Sequence, residues 1–320
     1  MTSGSELLFL IRDEIGRRGP LPFDSFMEMA LYHPELGYYC RPGDPFGAAG
    51  DYFTNSQLQP VFGRLIARQI AAWQQELAVG PDFTVVELGP GRGETAAEVR
   101  RRLPAVRYLE VERRSGVVPG RMTGVVFSNE FFDALPVRVA RFDGAGWVER
   151  CVAWKDDGPQ WVDGGALGPQ AEDYLRRFVP RPAPGQIAEV SLEALAWLKR
   201  VACSLERGFV LTIDYGYSRD EIASGRRFPQ GSLMSYLRHT ASEHVLAHPA
   251  EQDIKAHVNF TALVERGAEW GLTAEPLQTQ ARFLLSAGEK DEFRSALAAS
   301  SDAEARRHRA LLKTLLFGMG

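Results

Sequence analysis

FTVVELGPGRGETAAEVRRR, residues 83–102, is the stretch from which the rest of the chain can be read. Phe83, Val85, Val86 and Leu88 form a short apolar, β-branched run, long enough for one buried strand. Glu87 stands near its end, followed by glycines on alternate positions, Gly89, Gly91 and Gly93. Beyond them Ala96, Ala97, Val99, Arg100 and Leu103 take up a helical spacing. Strand, glycine turn and helix in that order make the first crossover of a nucleotide-binding α/β sheet.

The spacing of the glycines decides which nucleotide. A dinucleotide fingerprint needs glycines at the first, third and sixth positions of the turn, and here the sixth is Glu94. A carboxylate at the mouth of the helix repels a pyrophosphate that needs the free N–H groups there. No G-x-x-x-x-G-K-[ST] loop occurs anywhere in the chain. The pattern E-x-G-x-G-x-G at residues 87–93 instead resembles the first motif of class I S-adenosylmethionine-dependent methyltransferases. That cofactor carries an ammonium and a sulfonium and has no phosphate. An acid at the strand tip suits its amino group, and turns without side chains let the methionyl part pass close to the backbone.

A second carboxylate agrees with this. Residues 106–111, VRYLEV, read as the next strand, which ends at Glu112, about twenty residues past the glycine turn, where nucleotide folds place an acid for the ribose. Two carboxylate oxygens can accept from both ribose hydroxyls. Glu110, by alternation, points to the opposite face from Val111.

Composition sets bounds on the rest. With 320 residues, 45% hydrophobic and 24% charged, the chain is an ordinary globular protein with ample core. A net charge of −4 offers no basic field for nucleic acid. Three cysteines, Cys40, Cys151 and Cys203, are widely spaced and fit a reducing compartment. No apolar run approaches a membrane span, and the start, MTSGSELLFLIRDEI, is too short in apolar residues for a signal peptide. These features predict a cytoplasmic protein.

Residues 1–79 read as an N-terminal helical region carrying an aromatic, Gly-rich loop at 35–54. Residues 80–137 and 186–290 make a Rossmann-like α/β sheet domain. Residues 138–185 alternate in short strands split by Asp143-Gly144 and Asp157-Gly158, and are expected to form an inserted antiparallel β-hairpin subdomain. A helix to Arg207 should lead into a strand at 209–213, and residues 291–320 look like C-terminal helices.

Six longer motifs occur in order: ALYHPELGYY (30–39), DPFGAAGDYFT (44–54), ELGPGRGE (87–94), SNEFFDALPV (128–137), IDYGY (213–217) and DIKAHVNFTAL (253–263). Together they resemble the MidA family, whose mitochondrial members are complex I assembly factors that methylate arginine in a complex I core subunit. The resemblance implies a class I methyltransferase fold with added segments, S-adenosyl-L-methionine as cofactor and a protein arginine as acceptor. On that reading Glu87, Gly89, Gly91, Gly93 and Glu112, with Gly50, Asp51 and Thr54 of the second motif, hold the cofactor. The chain departs from the family at residues 55–60, where Gln57 stands at an acidic position, and in the short segment 113–127, so no adenine contact is assigned.

Residues 128–136 form a second chemical centre. A strand ends at Ser128-Asn129, with Glu130 and Asp133 just beyond its tip, where neighbouring strands share one crevice. A guanidinium is not nucleophilic until one nitrogen is localised and loses its proton. A bidentate carboxylate fixes its orientation and draws charge to the far nitrogens. Glu130 is the first candidate for that partner and Asp133 the second, with Asn129 orienting its neighbours. Alternatively, both acids cap a short helix over FFDAL. His257, placed by the last motif, orients the acceptor, or relays a proton, or is a buried structural histidine. His244 and His248 have an i, i+4 spacing but lack a third ligand fixed by spacing, so no metal is assigned.

The function that follows is a protein arginine N-methyltransferase of the complex I assembly type. Two alternatives remain open: the same chemistry on a small molecule or another side chain, or a non-catalytic assembly protein on this fold.

Overall fold

The structure is a computed structural model and describes residues 3–40, 58–114, 116–156, 158–224 and 227–318. The chain forms two compact units, each gathered from three stretches. One contains Thr54–Phe131, Leu198–Asp214 and Gly267–Gly320, and is called here the parallel-sheet unit. The other, the antiparallel unit, contains Met1–Phe53, Phe132–Trp197 and Tyr215–Arg266.

In the parallel-sheet unit four strands lie side by side in the order Arg107–Val111, Phe83–Leu88, Met122–Asn129, Leu205–Ile213, all parallel. Every residue of Phe83–Leu88 is buried, as expected of an inner strand covered on both faces. Burying Phe83, Val85, Val86 and Leu88 contributes about 1.5–3 kcal/mol each. The helix Val61–Leu77 packs its Phe62, Leu65, Ile66 and Ile70 into the same core as Val85, Val125 and Phe127. Leu284, Ala296 and Leu315, from the C-terminal helices Gln280–Glu289, Arg294–Leu297 and Asp302–Phe317, complete it. Arg64 ties these pieces together, donating from Nη1 to the carbonyls of Ala296 and Ala298 at 3.1 and 2.7 Å.

Two local expectations are corrected. The last strand begins at Leu205 rather than at residue 209, directly after the helix Leu192–Ser204. Glu206 and Arg207 hide the strand from a hydrophobicity reading, yet Met122 and Thr123 pair with Leu205 and Arg207 and draw the backbone into the sheet. Residues 131–135, FFDAL, form a turn and not a helix, with Leu135 N–H donating to Phe132 O. The capping alternative for Glu130 and Asp133 therefore has no helix to act on.

In the antiparallel unit the alternating text after residue 138 folds into the strands Arg138–Phe142, Trp147–Lys155 and Gly158–Asp163. Their sheet also takes Leu21–Pro22 on one side and Ile187–Val190 on the other, every pair antiparallel. The helices Ser3–Arg18 and Phe23–Tyr32 supply Leu7, Ile11, Phe26 and Met27 to a core with Val139, Val152 and Ile254. A three-stranded sheet, Thr240–Ser242, Leu233–Leu237 and Asp253–Ala256, and a parallel pair, Gly216–Tyr217 with Val258–Asn259, carry the last motifs.

Candidate active site

The strand order of the parallel-sheet unit locates a crevice. From Phe83–Leu88 the chain moves outward to Arg107–Val111, then crosses back to Met122–Asn129 on the other side. The order reverses between Phe83–Leu88 and Met122–Asn129, and ligands of open α/β sheets bind at the carboxyl ends of the strands at such a point. Glu87, the glycine turn, Asn129 and Glu130 all lie at that edge.

Glu87 is 4% exposed, and its carboxylate accepts a hydrogen bond from the Tyr108 hydroxyl at 2.8 Å. Burial pushes its pKa up to about 8, against the Tyr108 bond, and Glu110 and Glu112 push it further. Glu112 is also raised by desolvation, against a lowering hydrogen bond from the Gly91 N–H. Glu110 pairs instead with Arg100 at 2.5 Å. Three carboxyls thus crowd one edge, and Arg100 offsets only part of their charge at Glu87. Nothing in the sequence alone marks Tyr108. The parallel register Val85↔Tyr108 makes it the diagonal neighbour of Glu87, so a paired reading of the two strands reveals it.

Gly89, Gly91 and Gly93 have φ of 64°, 56° and 70°, the left-handed region that glycine enters without penalty. Gly89 N–H donates to Val111 O at 3.0 Å, bringing the turn against the neighbouring strand end. A Cβ at Gly89 would stand 2.7 Å from the Phe131 ring. Gly93 leads into the helix Glu94–Arg102. On the other side of the reversal Asn129 ends its strand, and Glu130 follows with φ 53°. That conformation is uncommon for a residue with a side chain, and the Glu130 N–H is tied to Ile213 O at 2.8 Å. Asp214 follows the next strand at the same edge. Gly50, Asp51 and Thr54 lie outside the described residues.

The remaining candidates belong to the antiparallel unit. Asp133 is 1% exposed and accepts from Lys255 Nζ at 3.0 Å, while Asp253 lies 3.6 Å from the same ammonium and accepts from the Tyr39 hydroxyl at 2.6 Å. A buried pair of this kind orients its members more than it adds net stability. His257 is half-buried, with Nδ1 2.8 Å from Ser232 O and its ring flanked by Tyr217 and Phe228. Ser232 is held in turn by Glu189. His244 and His248 sit in turns rather than on a helix, and no metal-binding group of His, Cys, Asp and Glu occurs among the described residues.

The donor set at the strand edge fits S-adenosylmethionine. Carboxyls crowded around a glycine turn suit a cationic ligand, whose arrival favours their ionised form, better than an anionic one. Fold and edge together define a methyltransferase of the S-adenosylmethionine-dependent class. Over residues 100–277 the chain matches the model of the Methyltransf_28 family of S-adenosyl-L-methionine-dependent methyltransferases, and it belongs to that family. It is similar to a COG1565 superfamily protein of Burkholderia thailandensis solved bound to S-adenosyl-homocysteine, with 30% identity, a TM-score of 0.86, and 98% of this chain and 89% of that one covered. A native structure from the same organism and superfamily gives 31% identity and a TM-score of 0.82, covering 98% and 88%. Among curated proteins it is 26% identical to the mitochondrial protein arginine methyltransferase NDUFAF7 homolog of Drosophila melanogaster, covering 78% of this chain and 67% of that protein. It is 24% identical to the Xenopus tropicalis protein arginine methyltransferase NDUFAF7, covering 96% and 81%. These matches bear out the MidA resemblance, the α/β methyltransferase fold and the cofactor.

The expectation of a cytoplasmic protein is overturned: the relatives are named as mitochondrial. Cysteine usage separates oxidising from reducing surroundings, and does not tell one reducing compartment from another. No helix among the described residues is long and apolar enough to cross a membrane.

Proposed function

We propose that this enzyme methylates an arginine nitrogen of a protein acceptor, with a respiratory complex I subunit as the acceptor that the MidA resemblance implies. The relatives named as protein arginine methyltransferases support the acceptor class. The observation that carries the reading to this chain is Glu130, a carboxylate held at φ 53° on the carboxyl edge of the parallel sheet, where no helix is present for it to cap.

Glu87 would hold the cofactor's ammonium and Glu112 its ribose hydroxyls, with Gly89, Gly91 and Gly93 giving the backbone room for the methionyl chain. Gly50, Asp51 and Thr54 are assigned to the same ligand by the family motif alone. Bound there, S-adenosylmethionine supplies an electrophilic methyl group. Glu130 pairs with the acceptor guanidinium, localises its charge and turns one nitrogen outward, so that rate is gained chiefly by positioning. Asn129 orients Glu130. Asp133, whose charge Lys255 already balances, shapes the turn that follows Glu130.

Incubating the purified protein with methyl-labelled cofactor and a mitochondrial lysate should label a protein band that yields methylarginine on hydrolysis. Glu130→Gln should lower that labelling about 10- to 100-fold, since an interaction with a charged group of about 1.5–3 kcal/mol is lost at the reacting centre. The same variant should bind S-adenosylhomocysteine as wild type does. Label confined to small molecules would remove the protein acceptor from this reading.

A further inference from the structure

We propose that Tyr108 is a positioning residue of the cofactor edge: its hydroxyl holds one oxygen of the Glu87 carboxylate and leaves the other to the ammonium of S-adenosylmethionine. This role rests on the reading of Glu87 as the ammonium holder, and every group in it belongs to the parallel-sheet unit.

Pairing between the strands brings the two side chains together. Glu87 lies opposite Glu110 and Val85 opposite Tyr108, so Glu87, Glu110 and Tyr108 rise from one face of the sheet. The Tyr108 hydroxyl donates to Glu87 Oε2 at 2.8 Å, and among the described residues no other donor reaches this carboxyl. The tyrosine ring is braced twice. It is buried in the core that contains Phe83, Val85 and Val99, and the Arg100 guanidinium lies over it, 5.0 Å from its centroid. Arg100 comes from the helix Glu94–Arg102, which starts directly after the glycine turn. A phenylalanine would fill that core as well, so packing does not account for the hydroxyl. Its use is at Glu87.

The three acids of this edge have three different donors. Glu110 has Arg100, with Nη1 2.5 Å from Oε1, and its charge is balanced there. Glu112 has the Gly91 N–H, a neutral donor on the turn itself. Glu87 has a neutral phenol, and the cation acting on it, Arg100, is already engaged by Glu110. A cationic partner would orient Glu87 and cancel its charge at once. A phenol orients it and leaves the charge for a ligand. Arg100 also acts through the ring. A cation beside a phenol favours loss of its proton and so makes the hydroxyl a better donor, while burial and the carboxyls of Glu87 and Glu110 work the other way.

The same bond sets the cost of ionising Glu87. Burial pushes its pKa up to about 8, Glu110 and Glu112 push in the same direction, and the Tyr108 bond and Arg100 pull it down. Below that pH an incoming ammonium must expel the Glu87 proton to solvent. Each unit by which the folded-state pKa rises then makes binding about tenfold weaker. Tyr108 therefore acts on affinity twice, by aiming the carboxylate and by making it easier to ionise.

Tyr108→Phe removes the hydroxyl and keeps the ring. Carbon NMR of the full chain labelled at its glutamate carboxyls, with the Glu87 signal identified by its loss in Glu87→Gln, reads the bond without any ligand. The Glu87 pKa should lie about one unit higher in Tyr108→Phe than in wild type. At pH 7 calorimetry should find S-adenosylhomocysteine, which carries the same ammonium, bound about tenfold more weakly. In the Glu87→Gln background, where no buried acid is left without its donor, the same substitution should change affinity less than about twofold. An unmoved Glu87 titration or full affinity in Tyr108→Phe would overturn the proposal. So would a further loss of about tenfold in the double variant, which would give the hydroxyl a task apart from Glu87. If Glu87→Gln itself binds as wild type does, the ammonium reading of Glu87 fails by itself, and the titration still decides whether Tyr108 holds the carboxyl.

Discussion

Glu87 concentrates the electrostatics of the cofactor edge in a single carboxyl. Burial lifts its folded-state pKa to about 8, above the usual carboxyl value of 4.5. Below the lower value both folded and unfolded chains hold the proton. Between the two only the folded chain does, so rising pH removes stability at about 1.4 kcal/mol per unit, and the loss levels off above the higher value. Glu87→Gln cannot ionise, and its unfolding free energy relative to wild type should therefore rise from pH 5 to pH 8 in denaturant titrations. The same variant should bind S-adenosylmethionine about 10- to 100-fold more weakly. In the wild type at pH 7, an arriving ammonium should displace the Glu87 proton. Calorimetry in buffers of different ionisation enthalpy should find proton release at pH 7 and little at pH 9. Binding without proton release at pH 7 would show that Glu87 does not meet the ammonium.

The strand–turn–helix at residues 83–102 was legible because each part has its own physical signature: a continuous apolar run, alternate glycines and a change of period. The glycines carry a constraint that can be tested as a unit. Gly89→Ala puts a side chain at φ 64° and drives its Cβ to 2.7 Å from Phe131. Backbone strain alone should cost about 1–2 kcal/mol, read as a lowered melting temperature, and cofactor binding should fall with it. What sequence could not supply was pairing. The Leu205 end of the last strand is polar and becomes strand only because Met122–Asn129 lies beside it. FFDAL has a helical composition but is held as a turn, with Tyr32 donating to Ala134 O at 2.9 Å and Ala256 N–H donating to Asp133 O at 2.8 Å. Within the parallel-sheet unit Tyr108 meets Glu87 from 21 residues away, and within the antiparallel unit Lys255 meets Asp133 from 122 residues away. Separations of that length leave no periodic trace.

Across the whole molecule, neither unit is a continuous piece of sequence. A chain cut after Asp214 keeps all four parallel strands yet loses Leu284, Ala296 and Leu315 from their core, and with them the carbonyls that receive Arg64. Such a fragment should lack a cooperative melting transition and fail to bind S-adenosylhomocysteine, whereas a fragment as stable as the full chain would show these helices to be dispensable. The interleaving has a consequence for birth on the ribosome. The chain emerges from its N-terminus, so the glycine turn is made early and waits through more than half of synthesis for the residues that close its core. A nascent chain stalled near residue 214 exposes an unfinished parallel sheet, and holding that sheet apart from its neighbours becomes work for a chaperone.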